Sequence, residues 1–478
     1  MDLTNRSVSV VVDDARAATP LWNSLGFSGR NKILRAWAKY LNSNIDEIAA
    51  IISEETGKPL SDAKLEATVA ISHLFWAAKN AEKILAPQKR FSGLLFANIR
   101  SKVERNPFGV IGVIGPWNYP MHTPMGSISY ALAAGNCVVF KPSEYTPRIG
   151  KYLADAFATV SPSPYIFQSL GGERELGVEL TKSKVDKIAF TGSTRTAKKI
   201  AAVCAENMIP VLLECGGKDP VIIAGDADIK LAAEEVLWSA MANAGQSCIG
   251  AERVYVVDSK SDEFITEISN RANKLKAGKD YGRATMPPQI DVIRNHISDA
   301  VSKGGQFVVG SLDSIKETIV EPIIMKNVHE DSREISEETF GPTLVINNVK
   351  NVEEAINLAN NSNYGLGAAV YSAKSGEAIA AKLNCGMVSI NSVFIFAGIP
   401  SIPFGGVKDS GYGRIHGVEG LMEFTFAKSI IKPIFNLPLA ITSFNRSIFT
   451  DKLIGKLAKD RKSTRLNSSH IPLSRMPS

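Results

Sequence analysis

From residue 108 to residue 215 the chain alternates short apolar runs with stretches of helical spacing, and few architectures accept that rhythm. The runs fall at 110–114, 137–140, 165–170, 188–191 and 211–214, and the helical stretches at 125–134, 149–158 and 196–206. Strand and helix repeated this way predict a parallel sheet covered on both faces, with polar residues gathering at the carboxyl ends of its strands. A second α/β stretch runs from Asp226 to Asn391, with strands expected at 253–257, 343–346, 368–371 and 387–390. Ahead of both, 30–41, 45–55 and 61–84 read as helices, and Gly57-Lys58-Pro59 reads as a stop signal between the last two. The expected fold class is therefore α/β with two intimately joined domains and a ligand site between them.

Several function classes drop out on composition. The five cysteines (Cys137, Cys204, Cys215, Cys248, Cys385) never form a CxxC pair, and the six histidines form no HExxH. Neither a disulfide framework nor a metal site is expected. No run of apolar residues is long enough to span a bilayer, and the first residues lack the basic and apolar regions of a signal peptide, so a cytoplasmic enzyme is expected. The formal charge is +6, but residues 451–478 hold seven Lys/Arg against two Asp, so a basic tail follows a nearly neutral body. That distribution argues against nucleic acid as a partner, which calls for a basic stripe on the folded surface. From Arg461 onward the tail has no apolar periodicity and reads as disordered, non-native sequence outside the fold.

Three residues stand where chemistry could be done. Cys248 lies among small residues in Asn243-Ala244-Gly245-Gln246-Ser247-Cys248-Ile249-Gly250, which leaves its sulfur uncrowded; alone, a buried structural cysteine is the better reading. Glu214 ends the apolar run after Pro210, where burial should raise its pKa toward that of a general base; alone, a cap or ion-pair partner is the better reading. Asn118 sits in a Pro-bracketed turn after a strand, able to donate to an oxyanion, or simply to shape the turn. Lys141 and Glu144 follow one strand and could hold ribose hydroxyls. Phe190-Thr191-Gly192-Ser193-Thr194 follows another strand and opens a helix, a setting in which backbone N–H groups meet phosphate.

Seven short motifs in order make the chain resemble the aldehyde dehydrogenase superfamily. They are PWNYP at 116–120, KPSE at 141–144, FTGST at 190–194, LECGGK at 213–218, GQSC at 245–248, EETFGP at 337–342 and PFGG at 403–406. The resemblance implies a Rossmann-like cofactor domain (1–84 and 107–215), a catalytic α/β domain (216–407) and a bridging, oligomerising element (85–106 and 408–432). It implies Cys248 as nucleophile, Glu214 as base, and Asn118 with the Cys248 N–H as oxyanion hole. Lys141 and Glu144 would hold the adenine-side ribose, Ser193 with Gly192 the pyrophosphate, and Glu338 with Phe340 the nicotinamide side, Trp117 also lying on the cofactor face. NAD is the expected cofactor because Glu144 would repel a 2′-phosphate; Lys141 beside it leaves NADP as an alternative. Departures from the family pattern are Cys215 for a usual Leu, Ala197 for a usual Gly, and Ile415 where Glu is common.

The resemblance is nearest to compact bacterial members acting on succinate semialdehyde or on long apolar aldehydes. Met121, Met125, Ser247, Ile249, Phe394 and Phe396 are expected to line the substrate channel, and no Arg among them would grip a second carboxylate. Alternatives are a CoA-acylating relative, which the presence of Glu214 opposes, and a non-catalytic paralogue, which Cys248, Glu214 and Asn118 together oppose. A homodimer or homotetramer is expected. The apolar and basic segment 433–460 is read either as a subunit contact or as a peripheral membrane contact.

Overall fold

The computed structural model describes residues 6–93, 96–436 and 443–459. The chain divides into two compact units, the first holding residues up to 85 together with 106–426. Among the described residues it contains two large sheets and a two-stranded one, Ile315–Lys316 with Ile319–Val320. One of the large sheets has six strands in the order Gly411–Tyr412, Val211–Cys215, Lys187–Gly192, Val110–Ile114, Cys137–Lys141, Phe167–Ser169. Its strands are parallel except Gly411–Tyr412, which runs antiparallel beside Glu214 and Leu213. Val110–Ile114 and Cys137–Lys141 are buried along their whole length, as strands covered on both faces must be.

The other sheet has seven strands in the order Gln306–Val309, Ile323–Lys326, Thr343–Val349, Ala251–Val257, Asp219–Ile223, Gly367–Tyr371, Met387–Ile390. All pair in parallel except the edge strand Gln306–Val309. Asp219–Ile223 has no counterpart in the sequence reading, because Asp and Pro open it and mask a short strand. Four helices precede the sheets: Val8–Ser24, Gly26–Ser43, Ile45–Thr56 and Leu60–Leu85. The third ends at Gly57 in the left-handed conformation (φ 82), so the expected stop is a glycine C-cap and the next residue, Lys58, is set at the start of the following turn.

The second unit takes in 86–105 and the described chain from 427 on. Gln88–Arg90, Ile99–Pro107 and Thr425–Pro433 form a three-stranded antiparallel-edged sheet, and Ile448–Lys459 is a helix. Large apolar side chains stay exposed here, among them Phe91, Ile431, Ile434, Phe435, Ile448 and Phe449. Leu437, Leu439 and Ile441, and the tail from 461, lie outside the described residues. No helix among the described residues is long and apolar enough to cross a membrane.

Candidate active site

Glu214 and Asn118 reach the site from the six-stranded sheet, Glu214 on the strand Val211–Cys215 and Asn118 in the turn after Val110–Ile114. Cys248 comes from the other sheet, in the turn just before Ala251–Val257. The backbone ahead of the cysteine is strained: Asn243 and Ala244 (φ 54 and 56) and Gly245 (φ 70) are consecutive left-handed residues. Gly245 is obligatory, since a Cβ there would sit 1.9 Å from the Gly341 carbonyl oxygen. The GQSC and EETFGP motifs thus meet backbone to backbone at this point.

Gln246 anchors the cysteine turn. Its side chain donates to Asn243 O (2.8 Å) and accepts from Thr285 N (2.8 Å), while its own carbonyl accepts from Asn118 Nδ2 at 2.9 Å. One N–H of the Asn118 amide is therefore fixed two residues before Cys248, and the second is left for another acceptor.

Glu214 is 2 % exposed, and neither carboxylate oxygen has a hydrogen-bond partner within the protein. Burial raises its pKa to about 7, with Thr191 and Cys248 as polar neighbours that oppose the rise. Burial also pushes the Cys248 thiol well above its usual value, reinforced by the charges of Glu214, Glu338 and Asp219. At rest the sulfur is a thiol beside a carboxyl group that titrates near neutrality.

The Glu338 carboxylate lies over Gly216 and accepts from Gly217 N at 3.2 Å. Burial, then the nearby Glu252, raises its pKa strongly. The neighbouring backbone is pinned by a buried ion pair between Lys218 and Glu252: the carboxylate accepts from Thr339 N (2.9 Å) and Phe340 N (3.2 Å). Phe340 is itself left-handed (φ 54), and its ring meets Trp117 edge-on with centroids 5.5 Å apart.

At the carboxyl end of the strand Cys137–Lys141, Lys141 Nζ lies 3.5 Å from Glu144 Oε2, and Ser143 Oγ lies 3.3 Å from the same oxygen. Ser193 is the N-cap of the helix Thr194–Glu206 and accepts from Thr196 N at 3.4 Å. Gly192 ends the strand before it, and Ala197 is buried within the helix. A cation, a carboxylate and a capped helix N-terminus at the carboxyl ends of the two strands that flank Val110–Ile114 form a donor set that suits a dinucleotide.

Beside Cys248 opens a cavity of about 380 Å³. Of the expected channel residues, Ser247, Ile249 and Phe394 line it; Met121 and Met125 are core residues without exposure, and Phe396 lies behind the wall. The helix Leu60–Leu85 supplies one side instead, through Asp62, Leu65, Glu66 and Val69, and Trp238, Val393 and Ile395 supply another. Helical periodicity on 61–84 located the helix, yet nothing local in it says that one face turns to a site. Two histidines, His122 and His416, are also in the wall. With His73 they form a ring cluster, His73 and His416 having centroids 3.8 Å apart. Burial lowers the pKa of His73 to about 3 and of His122 to about 4, so these rings are neutral. No group of metal-ligating side chains suited to a metal ion occurs among the described residues.

A family model for the aldehyde dehydrogenase family matches residues 1–430. The chain is 36% identical over 433 residues to a 4,4'-diapolycopene aldehyde oxidase of Methylomonas sp, covering 89% of this chain and 81% of that protein. It is 33% identical to a putative succinate-semialdehyde dehydrogenase [NADP(+)] of Mycolicibacterium smegmatis, covering 92% and 87% of the two chains. Among solved structures, an aldehyde dehydrogenase from Brucella melitensis biovar abortus superposes with a TM-score of 0.85 at 32% identity, covering 90% of each chain.

Proposed function

This chain belongs to the aldehyde dehydrogenase family, NAD(P)-dependent enzymes that oxidise aldehydes, and on that premise we propose that Cys248, Glu214 and Asn118 carry the reaction to a free carboxylic acid. The observation that carries the reading is their convergence: the Asn118 amide is tied to the Gln246 carbonyl, and Glu214 neighbours the Cys248 thiol in the cavity wall.

The Cys248 thiol gives up its proton to solvent, and the thiolate adds to the aldehyde carbon. The oxygen that becomes negative is held by the free N–H of the Asn118 amide and by the backbone N–H of Cys248. The bound nicotinamide supplies the acceptor for the hydride that leaves the same carbon. Glu214, its proton handed to solvent, then takes a proton from water as the water attacks the Cys248 thioester. The C–S bond breaks, the acid leaves and the thiol is restored. Lys141 and Glu144 hold the ribose of the adenine side, Gly192 and Ser193 the pyrophosphate, and Trp117, Phe340 and Glu338 the nicotinamide end. The six-stranded sheet is in this reading the cofactor-binding part and the seven-stranded sheet the catalytic part.

Glu144 favours NAD over NADP, because a carboxylate at the ribose repels a 2′-phosphate, with Lys141 softening the preference. The substrate is a neutral apolar aldehyde. The cation in the cavity wall, Lys58, is already paired with Glu66, and Asp62 adds a further carboxylate, so a second negative charge on the substrate finds no free partner there. The exposed apolar side chains of Thr425–Pro433 and Ile448–Lys459 are assigned to self-association.

Cys248→Ala tests the reading. It should abolish formation of reduced cofactor from an aldehyde, with or without CoA, while cofactor binding persists. Turnover within tenfold of the unsubstituted enzyme removes Cys248 as nucleophile, and a requirement for CoA replaces hydrolysis by acyl transfer.

A further inference from the structure

We propose that the buried ion pair of Lys58 and Glu66 is a positioning device that sets the oxyanion donor Asn118; this rests on the role given to Asn118 above. Lys58 Nζ lies 2.6 Å from Glu66 Oε2, and both side chains are 1% exposed. The pair holds one short stretch of chain at both ends. The ammonium donates to the Asn118 carbonyl oxygen at 2.9 Å and lies 4.1 Å over the Tyr119 ring. The carboxylate's other oxygen accepts from Met121 N at 2.9 Å and from His122 N at 3.2 Å. Residues 118–122 are thereby suspended between a cation and an anion, where they turn into the helix His122–Ala134.

Stability alone is a poor account of such a pair. Two charges taken out of water lose hydration that their attraction only partly restores, and apolar residues of equal volume often serve the fold as well. Direction is what an apolar pair cannot supply. The Asn118 carbonyl accepts from Lys58 and, at 3.0 Å, from Asn243 Nδ2, while its side-chain amide donates to Gln246 O. Asn243 and Gln246 both belong to the cysteine turn, so without Lys58 the donor would be tethered only to the turn it must face. The pair references Asn118 to the helix Leu60–Leu85 instead, and both of its side chains stand in the wall of the catalytic cavity. A second buried pair, Lys218 with Glu252, likewise holds residues 339–340, its carboxylate accepting from Thr339 N and Phe340 N.

The test is the rate of thioester formation, read as the first-turnover burst of reduced cofactor, in a cycle with Asn118→Ala. The double variant Lys58→Met with Glu66→Leu removes the charges and keeps the volume. It should fold, bind aldehyde with KM within about threefold, and form thioester roughly 10–100-fold more slowly, as expected for a displaced catalytic group. In the Asn118→Ala background the same double change should cost less than threefold, because the group being positioned is gone. Lys58→Arg should recover most of the rate. Should the double variant fail to fold, Glu66→Gln supplies the same comparison with the carboxylate's shape retained. An unaltered burst rate in the folded variant, or an equal loss with and without Asn118, overturns the proposal. If Asn118→Ala itself leaves the burst unchanged, the oxyanion role falls, and the positioning role falls with it.

Discussion

The titration of Glu214 is the most quantitative consequence of this site. Its carboxyl is moved by burial from an ordinary 4.5 to about 7, with both oxygens unpartnered. In the proposed reaction, hydrolysis of the thioester requires the deprotonated form of Glu214, which makes up about a tenth at pH 6, about half at pH 7 and about nine-tenths at pH 8. Decay of a preformed acyl-enzyme should therefore rise about fivefold from pH 6 to 7 and less than twofold from 7 to 8. Following the decay of isolated acyl-enzyme keeps the Cys248 thiol out of the measurement. The same displacement acts on stability. In the folded chain the group keeps its proton between 4.5 and about 7, where the unfolded chain has released it, so this group's stabilising contribution is full below 4.5 and lost as pH rises through 7. At about 1.4 kcal/mol per tenfold, the loss by pH 8 is of the order of 3 kcal/mol. Glu214→Gln should then resist denaturant better than the unsubstituted enzyme at pH 8 and match it at pH 4, while stalling as acyl-enzyme after one turnover. Acyl-enzyme decay that is flat from pH 6 to 8 would refute the raised pKa and, with it, the account of why a buried carboxyl is kept there.

Two further outcomes follow from single contacts. Gly245→Ala places a Cβ against the Gly341 backbone at a left-handed residue, which no side-chain rotation can relieve; its unfolding midpoint should drop by an amount equivalent to roughly 3 kcal/mol or more, with activity lost at the same time, and a normal midpoint would show that the two motifs do not meet there. Glu144→Gln removes the carboxylate beside Lys141, and the ratio of kcat/KM for NADP to that for NAD should rise about tenfold, from a value below one; a ratio at or above one in the unsubstituted enzyme contradicts the assignment.

What the sequence made legible was whatever is repeated or local. Short apolar runs marked Val110–Ile114, Cys137–Lys141 and Lys187–Gly192, because strands covered on both faces are mostly apolar. Asp219–Ile223 escaped, since two of its five residues argue against a strand when seen alone. In the site, Cys248, Glu214 and Asn118 were visible because each follows or ends a strand within a short motif. Lys58 and Glu66 were not: Lys58 stood inside a stop signal and Glu66 on a helix, and only the fold brings 118–122 between them. Ser247, Ile249 and Phe394 do line the cavity, but part of the channel lining was misplaced for a related reason. Met121 and Met125 are close to Asn118 in sequence, but the helix they open turns them into the core. The far wall comes from Leu60–Leu85 and from Val393 to Ile395, segments joined to the site by packing alone.

Many of the costs carried by this fold fall at one place. Of the ten described non-glycine residues held at positive φ, five (Asn243, Ala244, Phe340, Phe394 and His416) stand at the cysteine turn, the cavity wall or the Glu338 loop. Each such residue costs of the order of 1–3 kcal/mol. The same region buries Glu214, Glu338 and Asp219 with raised pKa values and leaves both ring nitrogens of His416 unpartnered. A chain free to relax would replace these features with apolar packing or ordinary turns. On the proposed roles, a carboxyl that titrates near neutrality, a thiol kept protonated at rest and an amide aimed at a single point all need an environment that refuses to relax. The two buried lysine–glutamate pairs are the means of that refusal. Each trades hydration for direction, and each holds a backbone segment by hydrogen bonds, one at 118–122 and the other at 339–340. On the positioning role proposed for these pairs, chemistry at Cys248 is set by residues that never meet the aldehyde carbon, so the rate of thioester formation, rather than substrate affinity, is the quantity through which they should be read.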